Sequence, residues 1–194
     1  MKALFTVIIM LIGALSFGQT VYPAGLAAGD QAPQIVATDN AGKTVNLQHL
    51  LKEHEVVLIF YRGQWCPYCN KELSRVNDSL SMIAARGAVV ITVTPETPEN
   101  IALTVKKTKA GFPIIEDHNL AIMKDYKVNF TLDDATTEKY KGYGIDLGVA
   151  NGSNGNNLPV PATYIIGKDG KIKYVFFNPD YRQRASVMNI LDHL

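Results

Sequence analysis

Two cysteines, Cys66 and Cys69, are the only ones in this 194-residue chain, and two residues separate them. They stand between an apolar run, 56–61, and a stretch with helical periodicity that begins at Asn70. A pair at such a strand-to-helix junction places its first sulfur where unpaired backbone N–H groups and the helix dipole favour a thiolate. The spacing therefore predicts thiol–disulfide chemistry.

A structural disulfide and a metal site are the other roles open to the pair. Linking residues three apart would remove only about 2 kcal/mol of denatured-state entropy, which makes a weak cross-link. A zinc site usually needs four nitrogen or sulfur ligands. The chain has no second cysteine pair, and its histidines lack ligand spacing: His49, His54, His118 and His193. Redox chemistry is favoured, and we predict neither a metal nor a cofactor.

The first residues have the pattern of a secretory signal peptide. A single lysine precedes an apolar, uncharged run that ends with small residues near Gly18. The run is shorter than the roughly 20 residues of a membrane-spanning helix, so cleavage would leave no stable membrane anchor. We predict export, with the bacterial periplasm as the expected location. The predicted organisation is a signal peptide over 1–18, a tether over 19–29 and one domain over 30–194.

Charge gives little indication of the partner. The formal net charge is +1, and no lysine or arginine stripe stands out, so nucleic acid and anionic membranes are not expected partners. An oxidising compartment would join the two cysteines unless a dedicated donor kept them reduced.

The apolar patterns predict alternating strands and helices. Two β-branched and aliphatic runs, 56–61 and 88–93, are typical of buried strands, and each is followed by a helical pattern, over 67–85 and 97–109. This order implies a parallel sheet. Further elements are predicted as a hairpin over 34–47, a short strand over 112–115, a helix over 119–126, a hairpin over 162–177 and a helix over 183–193. Residues 130–158 break the pattern and are predicted to form an irregular insertion that ends in an asparagine-rich surface loop.

Three segments together carry a resemblance to a known family. They are Phe-Tyr-Arg-Gly-Gln-Trp-Cys-Pro-Tyr-Cys over 60–69, Val-Pro-Ala-Thr-Tyr-Ile-Ile over 160–166 and Gly-Lys-Asp-Gly-Lys-Ile over 167–172. The chain resembles the thioredoxin superfamily and, more narrowly, its peroxiredoxin-like branch of alkyl hydroperoxide reductase and thiol-specific antioxidant (AhpC/TSA) proteins. The opening Gly-Asp-Gln-Ala-Pro, 29–33, is similar to that family's usual start.

The resemblance implies an α/β, thioredoxin-like fold. It has a central mixed β-sheet flanked by helices, an N-terminal hairpin and an irregular insertion before the strand that starts with a cis-proline. Cys66 would begin the long helix, and Pro161 would take the cis-proline position opposite it. In thioredoxin-like proteins, the backbone beside that proline pairs with an extended substrate.

Under a thioredoxin-like interpretation, Cys66 attacks a disulfide in another molecule, and Cys69 then resolves the mixed disulfide. Trp65 would shield the site, while Pro67 and Tyr68 would help to set the redox poise. The partners would be protein disulfides or thiols, together with a thioredoxin-like electron donor or acceptor.

Under a peroxiredoxin-like interpretation the roles are exchanged. Cys69 aligns with the peroxidatic cysteine, Cys66 would resolve its sulfenic acid, and the substrate would be a small peroxide. Glu72 falls on an acidic position of the family, and Arg62 could replace the distal arginine, whose usual position aligns near Pro161. Arg62 also stands where the family has a proline ahead of its threonine. Because of these two departures from the family pattern, we favour disulfide exchange over peroxide reduction.

Two further expectations concern proton transfer and metals. The buried acid that precedes the motif in thioredoxins aligns with apolar Ile59, so Glu72 is the candidate replacement as proton acceptor. A non-enzymatic copper- or haem-handling module is a third hypothesis, which would need His118 as a further ligand.

Overall fold

Residues 21–194 are described by a computed structural model, in which strands and helices alternate along the chain. The strands are β1 (Val36–Thr38), β2 (Thr44–Asn46), β3 (Glu55–Phe60), β4 (Ala88–Thr94), β5 (Ile114–Glu116), β6 (Asn129–Thr131), β7 (Asn157–Pro159), β8 (Ala162–Ile166) and β9 (Ile172–Phe177). The helices are α1 (Leu47–Leu50), α2 (Pro67–Asp78), α3 (Leu80–Ala85), α4 (Pro98–Thr108), α5 (Ala121–Asp125), α6 (Asp134–Gly142), α7 (Leu147–Asn151) and α8 (Val187–Asp192).

A mixed sheet in the order β5-β4-β3-β8-β9 forms the centre of the domain. β4 runs parallel to β3 and β5, whereas β8 is antiparallel to β3 and β9. The side chains of β3 alternate between two apolar clusters, as expected for a strand buried on both faces. Val57 and Ile59 pack with α2, α4 and α8, while Val56, Leu58 and Phe60 pack on the opposite face with α1 and α5. The predicted central mixed sheet flanked by helices is confirmed.

Several predicted boundaries differ from the structure. The helix predicted over 67–85 is divided at Ser79, whose ψ of 8° leaves the helical range, so α2 ends there and α3 begins. The final helix is shorter than predicted because it starts at Val187, where Ser186 caps it by accepting from the Asn189 backbone N–H. Residues 178–186 form a non-helical segment before it. The N-terminal hairpin is present as the antiparallel pair β1–β2.

The prediction of an irregular insertion over 130–158 is wrong. This region contains α6, α7 and a 3-10 helix (Gly152–Asn154), and β6 and β7 form an antiparallel pair. It also has its own apolar cluster, formed by Phe130, Leu132, Leu147, Leu158 and Val160.

The asparagine-rich stretch of the insertion is not a solvated loop either. Asn151 and Asn154 are buried, and the Asn154 side chain donates to the carbonyl oxygens of Pro95 and Asp117 at 2.9 and 3.0 Å. A buried amide group satisfies backbone carbonyls that have no strand partner, so a polar sequence here forms part of the interior.

The expected cis-proline is also absent, since no peptide bond in residues 21–194 is cis, including the bond before Pro161. The chain is held on both sides of this proline. The Val160 N–H donates to the Val128 carbonyl at 2.8 Å, and the Pro161 carbonyl accepts from the Asn178 N–H at 3.4 Å. The bond before Pro161 thus has the ordinarily preferred trans isomer.

The segment before the domain packs against it. The Gly25 N–H donates to the Lys127 carbonyl at 3.0 Å, and the ring of Tyr22 lies 4.8 Å from that of Phe130. The described part of the predicted tether is therefore held on the domain surface.

The predicted signal peptide, 1–18, lies outside the described residues. Among the helices of residues 21–194, none is long and apolar enough to cross a membrane.

Candidate active site

The chain turns sharply between β3 and α2, and Gly63 makes this turn possible. Its φ of 153° is a conformation that residues with a side chain rarely adopt. A Cβ atom at this position would lie 2.5 Å from Trp65 Nε1 and 2.8 Å from Glu96 Oε1. The glycine therefore allows the loop to close against the end of β4, which brings Glu96 beside the cysteine motif.

Cys66 is the N-cap residue of α2, with extended dihedrals, and Pro67 follows at the first helical position. The pKa of Cys66 is lowered to about 6, chiefly by a hydrogen bond with the Cys69 side chain and further by the positive charge of Arg62, while burial opposes the shift. Cys66 is therefore the more acidic thiol. Its surface is only 1 % exposed, so a substrate reaches the sulfur only when neighbouring side chains move.

Cys69 lies one helical turn further on and is fully buried. Burial raises its pKa well above the ordinary value, the proximity of Cys66 raises it further, and the charge of Arg184 acts in the opposite direction. Both cysteines are free thiols in this structure. The pair therefore consists of one sulfur prepared to ionise and one that keeps its proton.

Arg184 and Glu72 form a buried ion pair beside Cys69. The arginine Nε donates to Glu72 Oε2 at 2.6 Å, and its Nη2 donates to Cys69 Sγ at 3.2 Å. Burial raises the pKa of Glu72 to about 8 even though the arginine charge lowers it. Backbone carbonyls of Tyr181 and Gln183 also accept from Arg184. The predicted acid is thus held by a guanidinium that contacts the sulfur.

A second buried carboxyl group, that of Glu96, lies at the end of β4. Its Oε1 accepts from the Gln64 backbone N–H at 2.6 Å, and its Oε2 accepts from the Thr104 hydroxyl at 3.2 Å. Burial raises its pKa to about 7, and negative charge on Cys69 adds to the rise. A carboxyl group with this pKa can take up or release a proton near neutral pH.

Arg62 lies in a cage of aromatic rings. Its guanidinium carbon is 4.8 Å from the centre of the Trp65 ring and 4.3 Å from that of Tyr181. It is also 5.6 Å from the ring of Tyr140, whose hydroxyl accepts a hydrogen bond from it. Arg62 is 3 % exposed, so its charge is held beneath the surface and acts on Cys66.

The other predicted residues lie around the motif in different ways. Trp65 packs edge-on against Tyr140 at 5.7 Å, and Tyr68 is exposed and packs against Tyr181 at 5.8 Å. Pro161 lines the same surface hollow as Arg62. The backbone N–H of Val160, just before this proline, is already hydrogen bonded within the domain, so it is not free to pair with an extended substrate.

Sequence reasoning missed Glu96, Arg184, Tyr140 and Tyr181. A signal for Glu96 existed, because it closely follows a strand parallel to β3, and the carboxyl ends of neighbouring parallel strands meet at one edge. The two tyrosines and Arg184 have no such signal. They reach the site through the path of the insertion and of residues 178–186, which sequence periodicity does not define.

The metal-site hypothesis lacks its third ligand. Within residues 21–194 no three His, Cys, Asp or Glu side chains gather at a spacing that could hold a metal ion. His118 Nδ1 lies 3.5 Å from Glu116 Oε1 on the surface and does not join the cysteine pair.

A sequence model described as the AhpC/TSA family matches residues 28–175 of the chain. Since this match covers more than half of its length, the chain belongs to the AhpC/TSA family.

Curated relatives span both types of chemistry. A protein named thiol-disulfide oxidoreductase ResA from Bacillus cereus is 29 % identical over 178 residues, covering 88 % of this chain and 85 % of the relative. A 1-Cys peroxiredoxin from Medicago truncatula is 27 % identical over 179 residues, covering 88 % of this chain and 73 % of the relative.

A solved structure agrees with the fold. The peroxiredoxin-like protein from Aquifex aeolicus superposes with a TM-score of 0.65 at 18 % identity, covering 90 % of this chain and 96 % of that one. Together these findings confirm the predicted resemblance to the peroxiredoxin-like branch of the thioredoxin superfamily, and the chain is an oxidoreductase with a redox thiol function.

Proposed function

We propose that this member of the AhpC/TSA family is a thiol–disulfide oxidoreductase in which Cys66 attacks and Cys69 resolves. The observation that carries the proposal is the difference between the two thiols. Cys66 caps a helix and has a pKa of about 6, while Cys69 is buried with a raised pKa. At neutral pH the first sulfur is the nucleophile, and the second keeps its proton until the first has reacted.

The reaction balances in two steps. The Cys66 thiolate attacks one sulfur of a substrate disulfide, forms a mixed disulfide and releases the other substrate sulfur as a thiolate. Cys69 then loses its proton and attacks the Cys66 sulfur, which forms the Cys66–Cys69 disulfide and releases the second substrate thiolate. The substrate disulfide gains two electrons and the two cysteines lose them. A dithiol donor of thioredoxin type returns the pair to the reduced state.

Glu96 is the group we assign to accept the Cys69 proton. Its carboxyl group is held beside the motif by the Gln64 backbone N–H at 2.6 Å. Its pKa of about 7 suits exchange of a proton at neutral pH, and it interacts electrostatically with Cys69. Glu72, the acid predicted from the sequence, is bound to Arg184 at 2.6 Å. Its role in this proposal is to hold that arginine against the Cys69 sulfur.

Peroxide reduction at Cys69 is the second candidate function, and the Arg184 contact favours it. A guanidinium 3.2 Å from Cys69 Sγ could stabilise a thiolate there. The raised pKa of Cys69 weighs against rapid attack on a peroxide.

Single serine substitutions distinguish the two functions. Purified wild type, Cys66→Ser and Cys69→Ser are assayed for insulin disulfide reduction and for hydrogen peroxide consumption. Exchange at Cys66 predicts that Cys66→Ser abolishes insulin reduction, that Cys69→Ser accumulates a mixed disulfide visible by mass spectrometry, and that all three forms consume peroxide slowly. Rapid peroxide consumption by the wild type that only Cys69→Ser abolishes would contradict the proposal.

We further propose that the protein acts after export, which the apolar N-terminal pattern supports. N-terminal mass spectrometry of the protein expressed in a bacterium tests this. A mature chain that begins at Gln19 in the periplasmic fraction is expected, whereas an intact chain in the cytoplasm would overturn the assignment.

A further inference from the structure

A surface hollow of about 380 Å³ is lined by Arg62, four residues before Cys66. We call it the tyrosine pocket, and it is defined by Tyr22, Tyr140, Tyr143 and Tyr181 together with Arg62 and Lys139. The proposed mechanism uses only Arg62 of this set. The size falls in the range of small-molecule sites, which are usually concave and lined by apolar and aromatic groups with a few polar ones.

Arg62 supplies an independent indication that this hollow accepts a ligand. Its side chain is 3 % exposed, and its Nε is buried without a hydrogen-bond partner among residues 21–194. Buried N–H groups are nearly always paired in native proteins, because an unpaired one carries the cost of its lost hydration. A bound acceptor at the guanidinium would remove that cost.

The charges of the tyrosine pocket indicate what kind of acceptor fits. Arg62 and Lys139 line it, and none of its lining residues is an aspartate or glutamate. Within the described part of the chain, Lys139 takes part in no ion pair. Exposed aromatic surface, such as Tyr143 at 69 % and Tyr181 at 41 %, would pack against the apolar part of a ligand. The combination suits an organic carboxylate.

The tyrosine pocket is connected to the reacting sulfur through two of its residues. The charge of Arg62 acts on Cys66, and Tyr181 packs against Tyr68 of the cysteine motif. The backbone N–H beside Pro161, where an extended peptide would otherwise pair, is bonded within the domain. Side chains are then left to recognise the substrate, and the hollow lined by Arg62 provides them.

We propose that the tyrosine pocket binds the carboxylate-bearing part of a small disulfide, with Arg62 and Lys139 pairing with the carboxylate while Cys66 attacks the sulfur. This inference rests on the proposed exchange function and specifies its substrate class. The bonds and electrons are those of the two exchange steps above, so each molecule of disulfide gives two molecules of carboxylate-bearing thiol.

A charge series of small disulfides tests the assignment. Rate constants for oxidation of the reduced protein are measured with 3,3′-dithiodipropionate, hydroxyethyl disulfide and cystamine, which are anionic, neutral and cationic. Lys139→Glu is compared with Lys141→Glu, which makes the same change of charge on the same helix but lies outside the pocket, paired with Glu138 at 2.9 Å. Dividing variant by wild-type rates for each disulfide removes the differences in leaving-group pKa.

Lys139→Glu should slow the reaction with 3,3′-dithiodipropionate by about tenfold at an ionic strength of about 0.1 M, because the change of charge replaces a close attraction with a repulsion. It should accelerate the reaction with cystamine, and Lys141→Glu should leave every rate within about twofold of the wild type, since surface charges at a distance are screened.

A second measurement separates binding from chemistry. The thioether 3,3′-thiodipropionate carries the same carboxylates but cannot undergo exchange, and its binding is followed by fluorescence of Trp65, the only tryptophan of the chain. Saturable binding that weakens in Lys139→Glu and not in Lys141→Glu supports the pocket.

The outcomes distinguish the pocket from the exchange function. Reduction of all three disulfides with rate ratios that Lys139→Glu leaves unchanged would overturn the tyrosine pocket and keep the exchange function. Binding of the thioether without reduction of any disulfide would overturn the exchange function, and with it the assignment of this hollow to a substrate.

Discussion

The surroundings of Cys66 and Cys69 differ more than their separation of one helical turn suggests. Cys66 stands at the helix start, with the aromatic-caged Arg62 on its side. Cys69 lies in the interior with Arg184 against its sulfur, and it interacts electrostatically with two buried carboxyl groups, those of Glu72 and Glu96. The same residue type thus has a lowered pKa in the first position and a raised pKa in the second.

This difference shows how one short motif can give two sulfurs separate tasks. A hydrogen bond with the Cys69 side chain and, after it, the charge of Arg62 favour a thiolate at Cys66, whereas burial favours the protonated form at Cys69. Neither shift comes from the four-residue motif alone, because the charges of Arg62 and Arg184 also act on the two sulfurs. These two cations can be removed separately.

Removing Arg184, the cation beside Cys69, should give the largest loss in the free energy of unfolding. Arg184→Met leaves Glu72 buried without its partner, and breaking a buried pair in this way costs about 4 kcal/mol. The loss should be greatest near pH 9, where Glu72 is ionised in the wild type and paired with the arginine, and smaller near pH 6, where it is protonated. Urea unfolding at the two pH values measures it.

Two comparisons control this prediction. Arg182→Met, which removes a neighbouring arginine from an exposed pair with Asp180, should leave stability nearly unchanged. Adding Glu72→Leu to Arg184→Met should restore most of the loss, because no buried charge then remains. Equal losses for Arg184→Met and Arg182→Met would show that the buried Arg184–Glu72 pair stabilises the fold no more than the exposed pair does.

Glu96, a buried acid on the Cys69 side, should make the stability of the protein depend on pH. The pKa of Glu96 is about 7 in the folded protein against an ordinary 4.5, so its contribution to stability is fully present below pH 4.5 and is lost as the pH rises through 7. Glu96→Gln should remove a fall of about 1.4 kcal/mol per pH unit between these values.

Urea unfolding at pH 5, 6 and 7 measures this slope. Glu138→Gln, which alters an exposed carboxylate on α6, is the matched control and should keep the wild-type slope. A slope that is the same in Glu96→Gln and in the wild type would mean that the Glu96 carboxyl group titrates normally.

On the Cys66 side, the loop geometry can be tested at Gly63. Gly63→Ala forces a strained φ and brings a methyl group against Trp65 and Glu96, so it should destabilise the fold by about 2 kcal/mol. Gly87→Ala is the control, since Gly87 also has a positive φ, 78°, but has open space around it. Thermal or urea unfolding should show the larger loss for Gly63→Ala, and equal losses would remove the steric argument.

The smallest change in free energy is expected from removing Arg62, the cation beside Cys66. Arg62→Met should raise the pKa of Cys66 by roughly one unit, because Arg62 is one of several groups that lower it. The pH midpoint of iodoacetamide alkylation measures this shift. Arg75→Met, which replaces an arginine within α2, changes the net charge equally and should leave the pH midpoint of alkylation unchanged.

The central strands and the start of α2 are easier to predict from the sequence than the insertion and the segment 178–186, which bring further residues to the site. Unbroken apolar runs locate β3 and β4, because strands buried on both faces need such runs. Pro67 and the cysteine spacing locate the start of α2, and they suffice to place Cys66 at the N-terminus of that helix.

Long-range contacts account for most of what the sequence does not predict. The composition around Asn154 predicts a solvated loop, yet its amide satisfies two buried carbonyls. The pattern over 183–193 predicts a helix that would include Arg184, but this residue lies in a non-helical segment that reaches Cys69. Such contacts depend on the path of the chain, which neither periodicity nor local propensity determines.

The difference between the two sulfurs requires that Cys66, and not Cys69, is the thiolate at neutral pH. The reduced protein is treated with iodoacetamide between pH 5 and 10, and the rate of modification of each cysteine is followed by peptide mass spectrometry. We expect Cys66 to react first, with a midpoint at about pH 6, while Cys69 remains unmodified until much higher pH. Modification of Cys69 before Cys66 near pH 7 would show that the two roles are reversed.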